Sequence, residues 1–138
     1  MIFVDTNVIV DVLQDDEQWA DWSIDQLDAG RAGGGLISNA IVIAELSRDH
    51  ENLVALRSTL RSFDLAIEPL DDRAAFLAGK RFVAARRDRP AGASSRPLPD
   101  FFIGAHALTL EIALLTRDPR PYQRYFPELT LITPETSP

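Results

Sequence analysis

Met1-Ile2-Phe3-Val4-Asp5-Thr6-Asn7 runs three strand-type apolar residues straight into an acid. A helical pattern starts at once, with Val8, Ile9, Val12 and Leu13 recurring at helical spacing. A strand that stops on Asp5 presents its carboxylate at the strand's carboxyl end, the edge where ligands bind in an open α/β sheet. Asp5, Thr6 and Asn7 are also good helix N-caps, so Asp5 alone is divided between capping and ligand binding. The deciding question is whether other acids converge on the same edge.

Outward from this stretch, strands and helices alternate. The acidic turn at residues 14–17 leads into a helix over about 17–29, which Gly30 and the Gly33-Gly34-Gly35 run bring to an end. Its Trp19 and Trp22 read as core or subunit contacts rather than as a platform for stacked bases. Leu36-Ile37 is a short buried strand, and Ser38 or Asn39 caps a helix over 40–46. A further helix spans 52–63, with Leu53, Leu56 and Leu60 on one face. Leu65-Ala66-Ile67 forms another strand before Asp71 or Asp72 caps a helix over about 74–87, whose Phe76, Leu77, Phe82 and Val83 turn inward. The stretch from Asp88 to Leu98, dominated by proline, glycine and serine, reads as a functional or mobile loop. Pro99 and Asp100 then open a helix to about Thr109. Residues 112–116 are a buried strand, 117–121 a turn, and 129–132 a last strand before a frayed tail. Continuously apolar strands alternating with helices predict a single α/β domain over 1–138, built on a parallel sheet covered on both faces.

The composition narrows the chemistry. Without cysteine there is no disulfide framework and no thiolate metal site. No basic region precedes an apolar run at the N-terminus, and no apolar run is long enough to span a bilayer, so the expectation is a soluble, cytoplasmic protein with no membrane partner. A net charge of −7 opposes general attraction to nucleic acid, although it leaves room for a small focused site. Of the 14 basic residues only Lys80 is lysine. Arginine suits bidentate phosphate contacts, but compositional bias accounts for the ratio equally well.

Four acids stand at the ends of elements. Glu45 is the sharpest, because apolar residues flank it in the very hydrophobic run Ala40-Ile41-Val42-Ile43-Ala44-Glu45-Leu46. An ionised carboxylate there is costly unless it is paired or bound to a cation. The pairing alternative is a salt bridge to an arginine. Asp100 lies in the first turn of its helix, where the macrodipole already favours a negative charge. Asp118 comes two residues after a buried strand, much as Asp5 ends another, although an ordinary Asp-Pro turn also explains it. If the two strands are parallel neighbours, both acids reach one crevice. Carboxylates brought together repel unless they bind cations or take up protons. Oxygen donors without His or Cys suit Mg²⁺, with Mn²⁺ as a substitute. His50 and His106 are read as structural. A carboxylate cluster holding divalent cations suits phosphodiester hydrolysis, because the metal lowers the pKa of a water nucleophile and neutralises charge on the phosphate.

In this order the residues resemble the PIN-domain family, and within it the VapC-type ribonuclease toxins. The resemblance lies in Phe3-Val4-Asp5-Thr6-Asn7-Val8-Ile9, Ala44-Glu45-Leu46, 98–107 around Asp100, and Leu114-Leu115-Thr116-Arg117-Asp118. The closing segment from Tyr125 to Pro134 also looks like the family's ending. The resemblance implies a three-layer α/β/α fold and metal-dependent cleavage of an RNA substrate. It further implies a homodimer and a cognate antitoxin as inhibitor. Carried over by position, Asp5, Glu45, Asp100 and Asp118 are the catalytic and metal-binding acids, and Asn7 and Thr116 are polar supports that orient them. Arg86, Arg87, Arg96 and Arg117 are the candidates for RNA contact. Some members have a glycine shortly after the Glu-Leu pair, where this chain has Ser47-Arg48-Asp49-His50.

Two other readings compete. Haloacid-dehalogenase-like phosphatases also place an acid after the first strand. They normally need a second aspartate two residues on, where Asn7 stands, and a lysine near a later strand end, whereas Lys80 falls within a mid-chain helix. The other is a nuclease-fold module that is catalytically silent and acts by protein contact.

Overall fold

The computed structural model describes residues 1–89 and 98–138. The expected loop therefore lies, over Pro90 to Pro97, outside the described residues, and Arg96 lies outside them with it.

Strand β1 (Ile2–Val4) is followed by α1 (Thr6–Leu13), α2 (Ala20–Ala32) and β2 (Leu36–Ser38). The chain continues through α3 (Ala40–Leu46), a 3-10 turn at Ser47–Asp49, α4 (Leu53–Ser62), β3 (Leu65–Ile67) and α5 (Asp72–Asp88). After the undescribed segment come α6 (Leu98–Thr109), β4 (Ala113–Leu115), α7 (Arg120–Tyr125) and β5 (Leu131–Ile132). The five strands form one sheet in the order β3-β2-β1-β4-β5, and every pair is parallel. The expected α/β/α architecture around a parallel sheet is what forms. Helices must cover such a sheet because both of its faces are apolar.

The strand order positions the site. From β1 the chain steps outward to β2 and β3, then returns across the sheet to β4 on the other side of β1. The order therefore reverses between β1 and β4, and a crevice opens there at the strands' carboxyl ends. Register brings Val4 opposite Leu115, and the Asp5 amide donates to the Leu115 carbonyl at 2.9 Å. The two acids that follow these strands are thus delivered to the same edge.

Three local expectations are corrected. In α5, Leu77 and Phe82 pack against the core, but Phe76 and Val83 are 69% and 47% exposed. The buried residues of α5 are Ala74 and Ala78. At about 100° per residue, Phe76 and Val83 lie on the opposite side of the helix from Ala74. Small side chains there let α6 approach closely, a signal that hydrophobic periodicity underweights. Second, the turn after β4 winds into α7, a short helix with Pro121 near its start; proline is tolerated in a first helical turn. Third, the tail is fastened. The Thr133 hydroxyl accepts from the Thr136 amide at 3.2 Å, and the Trp22 indole donates to the Ser137 carbonyl at 2.7 Å. No described helix is long and apolar enough to cross a membrane.

Asn39 caps α3, accepting from the Ile41 and Val42 amides at 2.9 and 3.4 Å. Its Oδ1 thus engaged, its Nδ2 donates to His106 Nδ1 at 3.0 Å, fixing the imidazole proton on Nε2. Burial lowers the pKa of His106, against the nearby charges of Asp71 and Glu68, which favours this neutral form. Asn39→Ala removes both the cap and the imidazole's partner. Urea denaturation should show a loss of about 1–2 kcal/mol.

Candidate active site at the sheet's switch point

Asp5 is 6% exposed at the start of α1. Its Oδ1 accepts from the Thr6 amide at 2.8 Å. An N-cap ordinarily serves the second or third helical amide, so this bond to the first leaves much of the side chain for other work. Oδ2 accepts from the Thr116 hydroxyl at 2.8 Å and the Tyr122 phenol at 2.9 Å, with a longer approach from Asn7 Nδ2 at 3.4 Å. Thr116 Oγ1 in turn accepts from Asn7 Nδ2 at 3.2 Å and the Asp118 amide at 3.1 Å, which leaves its proton directed at Asp5. Asn7 Oδ1 accepts from the Arg117 amide at 3.1 Å, tying the end of β4 to α1.

Glu45, near the end of α3, accepts from the Thr6 hydroxyl at 2.7 Å. It is half-buried, and its partner here is this hydroxyl rather than the arginine that the sequence allowed. Asp100 sits in the first turn of α6, and Asp118 is exposed beside Arg120, 3.6 Å away. All four acids line one cleft of about 210 Å³, together with Thr6, Asn7, Arg48, Arg117 and Tyr122.

The electrostatics register the convergence. Burial raises the Asp5 carboxyl from 3.8 to about 6; the negative charge of Glu45 adds to this, and hydrogen bonds from Thr116, Tyr122 and Thr6 oppose it. The Tyr122 phenol is held well above its ordinary value, first by burial and then by the charges of Asp5, Asp100 and Glu45.

Two participants had no signal in the sequence. Tyr122 arrives from a helix that reads as a turn, and Thr6 reads as one of three interchangeable caps. Among the described residues, Arg117 is the one predicted arginine that lines the cleft. Its Nε donates to Asp11 Oδ2 at 2.7 Å, and Ser23 Oγ donates to the same oxygen at 3.2 Å. Its guanidinium lies 5.8 Å from the Trp19 ring, a cation–π contact that gives this tryptophan a structural task. Arg86 and Arg87 are exposed near the end of α5 and do not line the cleft; Arg86 stacks over Phe82. Arg48, which does line it, was not anticipated.

The donors that the acids offer are hard oxygens, and a cation beside Asp5 would relieve the cost of its buried charge. Among the described residues, however, no three His, Asp or Glu side chains stand as a group that could hold a metal ion. Mg²⁺ suits such an open arrangement, because it commonly takes one or two carboxylates and keeps water elsewhere. In donor type, the cleft fits a divalent ion.

Fold and site define an α/β protein with an acid-lined cleft at the switch point of a parallel sheet. The PIN domain family model matches residues 2–127, and the chain belongs to the PIN-domain family. A comparison with curated proteins gives no match. Among solved structures, VapBC2 from Rickettsia felis, bound to a DNA fragment from its promoter, aligns with a TM-score of 0.72 at 22% identity, covering 96% of this chain and 98% of that one. FitAcB from Neisseria gonorrhoeae aligns with a TM-score of 0.68 at 22% identity, covering 98% and 99%. DNA-bound VapBC from Salmonella typhimurium gives 0.70 at 18% identity, covering 96% of each chain.

Proposed function

We propose that this protein is a metal-dependent endoribonuclease, the toxin of a toxin–antitoxin pair, which hydrolyses RNA phosphodiester bonds and so blocks translation or growth. The observation that carries the reading is the buried Asp5 carboxylate at the switch point, with Glu45, Asp100 and Asp118 lining the same cleft. The structural likeness to VapBC and FitAcB, and to a toxin–antitoxin complex from Klebsiella pneumoniae, supports the toxin assignment. A cognate antitoxin, a homodimeric state and a cytoplasmic location belong to the same proposal.

Asp5, Glu45, Asp100 and Asp118 would hold Mg²⁺, or Mn²⁺ in its place. Bound there, the ion would supply a more acidic water and neutralise charge on the phosphate. Thr116 and Tyr122 orient Asp5, Thr6 orients Glu45, and Asn7 joins the two strand ends. Arg48 and Arg117 bring positive charge to a cleft that would otherwise repel a phosphate backbone.

The spacing of the acids, with no chelating group of three among the described residues, favours the silent, protein-binding module as a second reading. PIN-family membership replaces the phosphatase reading, and Lys80 on α5 is not part of the cleft. Cleavage of a mixed labelled RNA pool, with Mg²⁺ or Mn²⁺ and with chelator, separates the remaining two. Cutting that needs the ion and is lost in Asp100→Asn is the expected result. No cutting by well-folded, antitoxin-free protein across a broad RNA pool would favour the binding module.

A further inference from the structure

The two oxygens of Asp5 are treated differently by their surroundings. Thr116 and Tyr122 donate to Oδ2 at 2.8 and 2.9 Å, and Asn7 Nδ2 lies within 3.4 Å of it. A carboxylate oxygen has about two lone-pair sites, and these two hydroxyls use both. Oδ1 accepts only the Thr6 amide among the described residues, at 2.8 Å, and keeps one site open. Neither hydroxyl can readily turn away. Tyr122 is 1% exposed, so a phenol that released Oδ2 would lose its partner away from water, and the fully buried Thr116 hydroxyl would exchange its 2.8 Å bond for the Asp118 carbonyl at 3.4 Å.

Asp5 is therefore built to offer a cation one oxygen. We infer that Tyr122 is a positioning residue that gives the cleft its preference for Mg²⁺ over Ca²⁺, by sealing Oδ2 so that Asp5 binds an ion through Oδ1 alone. Mg²⁺ demands near-octahedral coordination and is satisfied by single carboxylate oxygens. Ca²⁺ accepts six to eight ligands and gains from carboxylates that bind through both oxygens. A sealed Oδ2 withholds from Ca²⁺ the mode that suits it and takes nothing from Mg²⁺. This rests on the divalent-ion reading of the cleft given above.

The test is calorimetric titration of chelator-stripped, full-length protein with MgCl₂ and with CaCl₂. Tyr122→Phe keeps the ring and removes the seal. Its Ca²⁺ affinity relative to Mg²⁺ should rise about tenfold over wild type, the size expected for losing one hydrogen bond to a charged group. Thr116→Val removes the other hydroxyl and should shift the ratio in the same direction, whereas Thr116→Ser keeps the hydroxyl and should keep the wild-type ratio. The valine variant also carries the test if Tyr122→Phe fails to fold. Loss of affinity for both ions by the same factor would mark Tyr122 as merely structural and overturn the inference. Wild-type protein that binds no Mg²⁺ would overturn the divalent-ion reading itself, and the inference with it.

Discussion

Asp5→Asn should make the metal-free protein more stable near neutral pH while cutting RNA cleavage by at least about a hundredfold. The stability follows from linkage. The folded-state pKa of Asp5 is raised from 3.8 to about 6, so the folded protein holds this proton over a range where the unfolded chain has released it. Below about pH 4 both states are protonated and the group contributes nothing. As pH rises from about 4 to 6 the fold loses stability, and above 6 it carries a constant deficit of roughly 3 kcal/mol. Asparagine has no charge to bury. Its amide nitrogen, however, must face either the Thr6 amide or the Tyr122 and Thr116 hydroxyls, which takes back part of the gain. A net gain of about 1–2 kcal/mol, several degrees in Tm, is expected in the presence of chelator. The gap between variant and wild type should close as the melt is repeated toward pH 4. A variant that melts several degrees lower at every pH would mean that hydrogen bonding to the carboxylate outweighs its burial.

Arg117→Ala should cost about 3 kcal/mol in urea denaturation, through Asp11 rather than through the cleft. The Asp11 side chain is 3% exposed, and its Oδ2 receives Arg117 Nε at 2.7 Å and Ser23 Oγ at 3.2 Å. Removing the guanidinium leaves a buried carboxylate with one neutral donor. The cost falls at the lower end for a broken buried pair because Arg117 is itself 32% exposed, so water reaches the gap. Adding Asp11→Leu should restore most of the loss, since the charge that needed a partner is gone, and the double-mutant cycle isolates the pair. If Arg117→Ala leaves stability unchanged but abolishes cleavage, its work is on the substrate alone.

The parts of the fold legible in the sequence were those set by local apolar runs. Ile2-Phe3-Val4 and Ala113-Leu114-Leu115 are unbroken, and an acid follows each closely, so the parallel pair and its shared edge could be expected. Asp5 could not be settled from sequence because cap and ligand demand the same residue types. The structure shows the same carboxylate taking the Thr6 amide on one oxygen and two distant hydroxyls on the other. Tyr122 and Thr6 were invisible because a hydroxyl's partner is chosen by tertiary position, which leaves no periodic trace. The face of α5 was misread because Ala74 and Ala78 bury little area individually, while the conspicuous Phe76 and Val83 face outward. Of the four arginines nominated for RNA, Arg117 reaches the cleft and Arg96 falls outside the described residues. Arginine carries charge in any context, so composition could not rank them.

The place of β1 at the middle of the sheet also bears on how the molecule is made. Its neighbour on one side is near in sequence: Ser38, which donates to the Val4 carbonyl, is 34 residues from it. On the other side the wait is long, since Asp5 and Thr116 are 111 residues apart. A chain emerging from the ribosome can pair β1 with β2 early, but it presents an open strand edge until β4 has been synthesised. Such long-range pairing is slow and exposes unfinished edges to misassociation. For the proposed nuclease the same delay would be protective. Thr116, Asp118 and Tyr122 are all added after that wait, so the acid-lined cleft is assembled only once the chain has grown past Tyr122, and a shorter nascent chain lacks part of the proposed site.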